Sequence, residues 1–98
     1  MYIIRVMYKK PLEEVDRYLA DHRAFLDRHF EAGHLIASGP QIPRQGGVIM
    51  IRDMEAGEMQ AILDQDPFRV NDIADYYVTE FVPTKFCDPA LETLITKL

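Results

Sequence analysis

The chain has 98 residues, 48% hydrophobic and 28% charged, an ordinary globular mix sized for one domain with a single modest core. Its net charge of −5, with no basic stripe interleaved with aromatics, argues against a phosphate-backbone partner, so no nucleic acid is expected. No apolar run approaches the roughly 20 residues of a membrane span, which excludes a spanning helix.

The sequence opens directly on a strand-like segment, "MYIIRVMY", without the regions of a secretory signal. A single cysteine, Cys87, can form no intrachain disulfide. Both features predict a cytoplasmic protein. Cys87 sits in "KFCDP" beside Asp88, whose charge works against a thiolate, so it reads as a structural or incidental thiol.

Tyr2 to Tyr8 is rich in β-branched and aromatic residues and predicts a strand. "KKP" turns the chain. From Leu12 to Ala32 the apolar spacing is helical: Leu12, Val15, Leu19, His22, Leu26 and His29 form one stripe, widened by Tyr18, Phe25 and Phe30. Gly33 stands where a left-handed cap would end that helix. His34 to Gly39 is a short strand, Pro40 to Gly47 a loop, and Val48 to Arg52 a third strand. Met54 to Leu63 predicts a second helix, capped by Asp53. Asp66-Pro67 breaks it, because proline disfavours the α conformation at the residue before it. Pro67 to Asp75 reads as irregular and Tyr76 to Pro83 as a fourth strand. A tail helix follows, capped by Asp88, with Pro89 first and Leu91, Leu94, Ile95 and Leu98 on one face.

The order β-α-β-β-α-β predicts an α+β, ferredoxin-like domain over residues 1–98: an antiparallel sheet with helices on one face, and a tail helix over 86–98. A sheet covered on one side should alternate apolar and polar. Here Tyr2, Ile4, Val6 and Tyr8 oppose Ile3 and Met7, and Val48 and Met50 oppose Ile49 and Ile51. Both faces are largely apolar, and burying each large aliphatic side chain stabilises by roughly 1.5–3 kcal/mol. A second copy of the sheet is the expected cover, giving a homodimer.

Few residues suit chemistry. His22 and His29 lie on the apolar stripe without an acid three or four residues away. On periodicity alone each reads as a partly buried histidine satisfied by a backbone carbonyl. They stand seven residues apart, about 10 Å along the helix axis, too far to share one metal ion. With no HExxH, no cysteine pair and no glycine-rich phosphate loop, neither metal nor cofactor is expected. Met50, Met54 and Met59 read as core fillers. Arg5, a lone charge in mid-strand, would either pair with Glu80 on a neighbouring strand or hold a substrate carboxylate.

Several pieces stand in order: His22, eleven residues before Gly33; "GHLIASGP", Gly33 to Pro40; "DPF", Asp66 to Phe68; and "FVPTKF" after the last strand. Together they resemble the YciI-like (YCII-related) family of small dimeric α+β barrel proteins, over Met1 to Phe86. The resemblance implies an active site built from a helix-one histidine and the aspartate of the D-P-F motif, here His22 and Asp66. The family's glycine after strand two falls on Gly39, preceded by Ser38, and both are expected to bind substrate. Two departures stand out: the "QIPRQGG" loop is shorter than in many members, and His29 stands where relatives often have an apolar residue.

A carboxylate bonded to one imidazole nitrogen holds the ring in one tautomer and leaves the other nitrogen to take a proton. Backbone N–H groups around Gly39 would receive a developing enolate. The resemblance therefore implies proton abstraction next to a carbonyl, with elimination or isomerisation of a small organic acid or lactone. Some relatives are similar to muconolactone isomerases and act as dehydrochlorinases. A small-molecule ligand is expected either way. The rival expectation is a non-catalytic ligand-binding or regulatory module in which His22 and Asp66 pin two elements together; a cofactor-free oxygenase of the same broad fold ranks last. A catalytic pair should line an open cavity with one imidazole nitrogen unoccupied, and a structural pair should be sealed with both nitrogens bonded.

Overall fold

A computed structural model describes residues 1–96. The elements are β1 (Tyr2–Tyr8), α1 (Leu12–Glu31), β2 (Leu35–Pro40), β3 (Gly46–Ile51), α2 (Ala56–Leu63), α3 (Pro67–Val70), β4 (Ala74–Glu80) and α4 (Pro89–Thr96). The four strands form one antiparallel sheet in the order β2-β3-β1-β4. This is the ferredoxin-like α+β architecture that the order of hydrophobic patterns predicts. No helix among the described residues is long and apolar enough to cross a membrane.

Acidic residues open α1 and a basic one closes it, as the helix dipole favours: Glu13 and Glu14 in the first turn, Arg28 in the last. Gly33 adopts φ +79°, a conformation glycine reaches without strain. The Gly33 N–H donates to the Phe30 carbonyl at 3.0 Å and the His34 N–H to the His29 carbonyl at 2.9 Å. That double bond pattern is a Schellman cap, and it turns the chain sharply so that His34 lies over the last turn of α1.

Tyr2, Ile4 and Val6 pair with Ile51, Ile49 and Gly47, and this row faces the helices. Tyr2, Ile4, Ile49, Ile51, Val15, Phe25, Leu63 and Phe68 are buried and join one core. Gly46 and Gly47 are needed at this crossing. A Cβ on Gly46 would fall 1.8 Å from the Val6 carbonyl oxygen, and one on Gly47 would fall 2.9 Å from that of Gly39. In β2 the register slips between Leu35 and Ala37. One extra residue there reverses the alternation, so Ser38 shares a face with Leu35 and pairs with Ile49. The bulge turns Ser38 toward α1.

Several boundaries differ from expectation. The second helix begins at Ala56 after Glu55, with no side-chain cap, not at Asp53 or Met54. Met54 is buried from the loop before it, and that burial mimicked helical spacing. The Asp53 N–H instead donates to the Ile95 carbonyl at 3.0 Å, tying α4 to the domain. The segment after Asp66 is not irregular at its start but forms the one-turn α3. The fourth strand starts two residues early, at Ala74, and ends at Glu80. Asp88 does cap the tail helix, accepting from the Ala90 N–H at 2.8 Å. Leu98, expected on its apolar face, lies outside the described residues. Met54 and Met59 fill the core, whereas Met50 pairs with Ile3 on the opposite face of the sheet.

Candidate functional site

The three residues of "DPF" each have a separable role. α2 stops at Leu63, and Asp66 takes an extended backbone (φ −66°, ψ 123°) that starts α3. Pro67 occupies the first helical position, where its missing N–H costs nothing. The Asp66 side chain is fully buried and accepts three hydrogen bonds. Its Oδ1 takes the Phe68 N–H at 3.0 Å and lies 2.8 Å from His22 Nδ1, and its Oδ2 takes the Tyr76 hydroxyl at 2.6 Å. Phe68 then stacks on the His22 ring, with centroids 4.1 Å apart and planes within 9°. One turn of chain therefore supplies both the carboxylate that orients the imidazole and the ring that backs it.

Tyr76 completes the network from β4. Burial, reinforced by the negative charge and hydrogen bond of Asp66, holds its phenol well above the ordinary tyrosine range. It is a neutral donor at any physiological pH. With Nδ1 facing Asp66, a carboxylate acceptor, the Nδ1 atom of His22 carries the proton in the neutral ring and Nε2 carries the lone pair. Nε2 has no hydrogen-bond partner among the described residues.

His22 also lines a cavity of about 390 Å³ between α1 and the helix-facing side of the sheet. That is within the size range of small-molecule sites, about 300–1,000 Å³. Val6, Ile49, Leu19 and Leu26 supply apolar walls, and Tyr8, Phe68, Arg23 and Arg44 complete much of the remainder. Ser38 and Gly39 are in the lining as well, and a Cβ built on Gly39 would meet nothing within 4 Å. Arg44 is anchored at the rim: its Nη2 donates to Asp16 Oδ1 at 2.6 Å, and its guanidinium carbon lies 5.8 Å from the centre of the Tyr8 ring.

The structure thus brings His22, Asp66, Ser38 and Gly39 to one place and leaves Arg5 elsewhere. Arg5 pairs across the sheet with Val48 and Tyr77, on the face away from the cavity, and its guanidinium carbon lies 5.2 Å over the Tyr77 ring. The expected ion pair with Glu80 is not made either. Glu80 pairs with Tyr2, which puts it on the opposite face of the sheet from Arg5. Tyr8, Arg23, Arg44 and Tyr76 were not singled out from the sequence. A signal existed for Arg23, the neighbour of His22 on α1, but none for Arg44, whose position depends on the hairpin loop.

A second histidine pair lies two helical turns further along α1. His29 is buried. Its Nδ1 is 3.0 Å from His34 Nδ1, and its Nε2 is 2.9 Å from Gln65 Oε1. The expected backbone-carbonyl partner is therefore absent for both helix histidines: His22 takes a carboxylate, and His29 takes two side chains. Among the described residues no group of three or more His, Cys, Asp or Glu is placed to hold a metal ion.

A family model described as the YCII-related domain matches residues 1–82. Nothing among curated proteins matches the chain. Among solved structures, the chain is similar to 5-chloro-2-hydroxyhydroquinone dehydrochlorinase from Burkholderia phenoliruptrix AC1100, determined in complex with 2,5-dihydroxybenzoquinone. The TM-score is 0.68 at 16% identity, over 84% of this chain and 94% of that one. At that identity the likeness is one of fold.

Proposed function

The chain belongs to the YCII-related domain family, and from that premise we propose that it is a small-molecule enzyme whose His22–Asp66 pair moves a proton next to a carbonyl. The observation that carries the proposal is the asymmetry of the His22 ring: Nδ1 is fixed by a buried carboxylate, and Nε2 is unpaired in a side chain that lines a cavity. A purely structural pair would use both nitrogens.

His22 Nε2 takes a proton from the carbon beside a carbonyl. The electron pair of that C–H bond forms an enolate, and the new imidazolium is held by the Asp66 carboxylate. The enolate then either expels a leaving group from the adjacent carbon, an elimination, or takes the proton back from His22 at another carbon, an isomerisation. Ser38 and the backbone around Gly39 receive the enolate oxygen. The fold likeness to a dehydrochlorinase supports this reaction class. Substrates are small organic acids or lactones.

The sheet face that carries Ile3, Met7, Val48 and Met50 is only half-buried, and Tyr77 beside it is exposed. A second copy of the chain covers that face in our reading, and the protein works in the cytoplasm as a homodimer. Sedimentation velocity giving a monomer at micromolar concentration would remove the dimer.

The catalytic proposal is tested with a panel of small lactones and their halogenated derivatives. Turnover is expected in the native protein and its loss in His22→Ala. Unchanged turnover in that variant, measured on whichever lactone reacts, would end the assignment.

A further inference from the structure

The chain carries 16 Asp and Glu against 11 Lys and Arg, yet the cavity beside His22 runs against that balance. Its ionisable lining side chains are His22, Arg23, Arg44 and Tyr8, and no carboxylate is among them. Two acids stand behind this lining: Asp66 is fully buried behind the imidazole and spends its oxygens on Phe68, His22 and Tyr76, and Asp16 is taken up by Arg44. Arg44 is held at the rim by Asp16 through one terminal nitrogen, and a guanidinium carries five N–H donors in a rigid fork. Arg23 projects from α1 one residue past His22 and makes no ion pair within 4.0 Å among the described residues. Two guanidiniums thus meet at one cavity, one braced and one free, above apolar walls.

From this we propose that Arg44, assisted by Arg23, is a carboxylate anchor, and that the cavity takes a monoanionic ring acid with its charged group at the rim and its ring against Leu19, Leu26 and Phe68. This deepens the catalytic reading by naming the substrate class, and it rests on the cavity being the substrate site. The anchor fixes which ring carbon faces His22 Nε2. A fork that meets a carboxylate in two parallel N–H···O bonds supplies both orientation and affinity. Neutral lactones lacking an acid group would enter but would not be held in one orientation.

The test uses benzoate and its neutral isostere benzamide as probes, with binding measured by titration calorimetry on the full chain. Native protein is expected to bind benzoate at least about tenfold more tightly than benzamide. Arg44→Gln removes about tenfold of the benzoate affinity, Arg23→Gln a smaller factor, and neither changes benzamide. Arg44→Lys keeps the charge but not the fork and falls between native and Arg44→Gln. His22→Gln keeps the preference for benzoate. Equal affinity for the two probes in native protein, no saturable benzoate binding, or a benzoate affinity indifferent to Arg44 would overturn the anchor.

The native-protein comparison needs no variant to fold. It also separates the two readings. A benzoate preference in a protein that turns over no substrate upholds the anchor and removes the enzyme, while His22-dependent turnover with equal probe affinities removes the anchor alone.

Discussion

Helix α1 carries two histidines on one face, seven residues and so about 10 Å apart, and they are put to opposite uses. His22 spends one nitrogen on Asp66 and keeps the other, beside a cavity. His29 spends both, on His34 and Gln65. Their partners from the α2–α3 junction, Gln65 and Asp66, are consecutive residues. Two nearly equivalent positions on an apolar stripe thus differ by a single step of the facing chain. Periodicity does not distinguish them, and burial does so only slightly, His29 being buried and His22 partly so. What distinguishes them is the count of unpaired nitrogens and the space in front of the ring.

The chemistry of the two contacts differs in kind. A carboxylate accepts only, so it forces the proton of the neutral ring onto Nδ1 and stabilises the cation formed on further protonation. Two facing Nδ1 atoms at 3.0 Å hold one proton between them, one ring donating and the other accepting. A second proton there would set two N–H groups against each other. The His29–His34 contact therefore closes the end of α1 with both His29 nitrogens engaged, while the His22–Asp66 contact leaves one nitrogen of its ring unpaired among the described residues.

The largest predicted effect breaks this comparison directly. His22→Gln should lower kcat by about 10²–10⁴-fold, the usual share of general acid–base catalysis, whereas His29→Gln should stay within a few-fold of native. Steady-state rates on a lactone that the native protein turns over check both.

Asp66→Asn should lower kcat and also destabilise the fold by about 1–3 kcal/mol, because one buried acceptor serving three donors becomes half a donor itself. Urea unfolding monitored by circular dichroism reads the second effect. His29→Leu should cost a similar 1–3 kcal/mol, from His34 and Gln65 losing a partner, with kcat nearly unchanged. A stability loss without a rate loss is the signature of the structural pair.

Tyr76→Phe should have the smallest effect at neutral pH, about 0.5–1.5 kcal/mol for one hydrogen bond, and its value lies in its pH dependence. Because the folded phenol is held above the ordinary tyrosine range, the native state keeps its proton where the unfolded chain gives it up. The stability it contributes is fully present below the unfolded value near 10 and is lost as pH rises above it. The unfolding free energy of the native protein should therefore fall more steeply above pH 10 than that of the Phe variant.

The element order was legible because each strand and helix has its own hydrophobic period, and the tail helix because Asp88-Pro89 is a strong start signal. The start of α2 was not, since Met54 packs into the core from a loop and imitates a helical position. Arg5 was misplaced because a charge in a strand has a face only once the register is known. The His22–Asp66 contact spans 44 residues, and periodicity cannot reach that far, so a family resemblance had to suggest it. The His29–His34 contact, by contrast, could have been derived. A glycine in the left-handed region at the helix end implies a Schellman cap, and that cap brings the second residue after it onto the residue three before the end, here His34 onto His29. Arg44 was beyond reach, because the five-residue hairpin loop between β2 and β3 carries no pattern that aims a side chain.

The most direct test of the account is deuterium incorporation from D₂O at the carbon next to the carbonyl of small lactone acids, followed by proton NMR with native, His22→Gln and His29→Gln proteins. Exchange catalysed by the native and His29→Gln proteins, with His22→Gln reduced to the rate of buffer alone, is the predicted result. Exchange by His22→Gln at the native rate would contradict it.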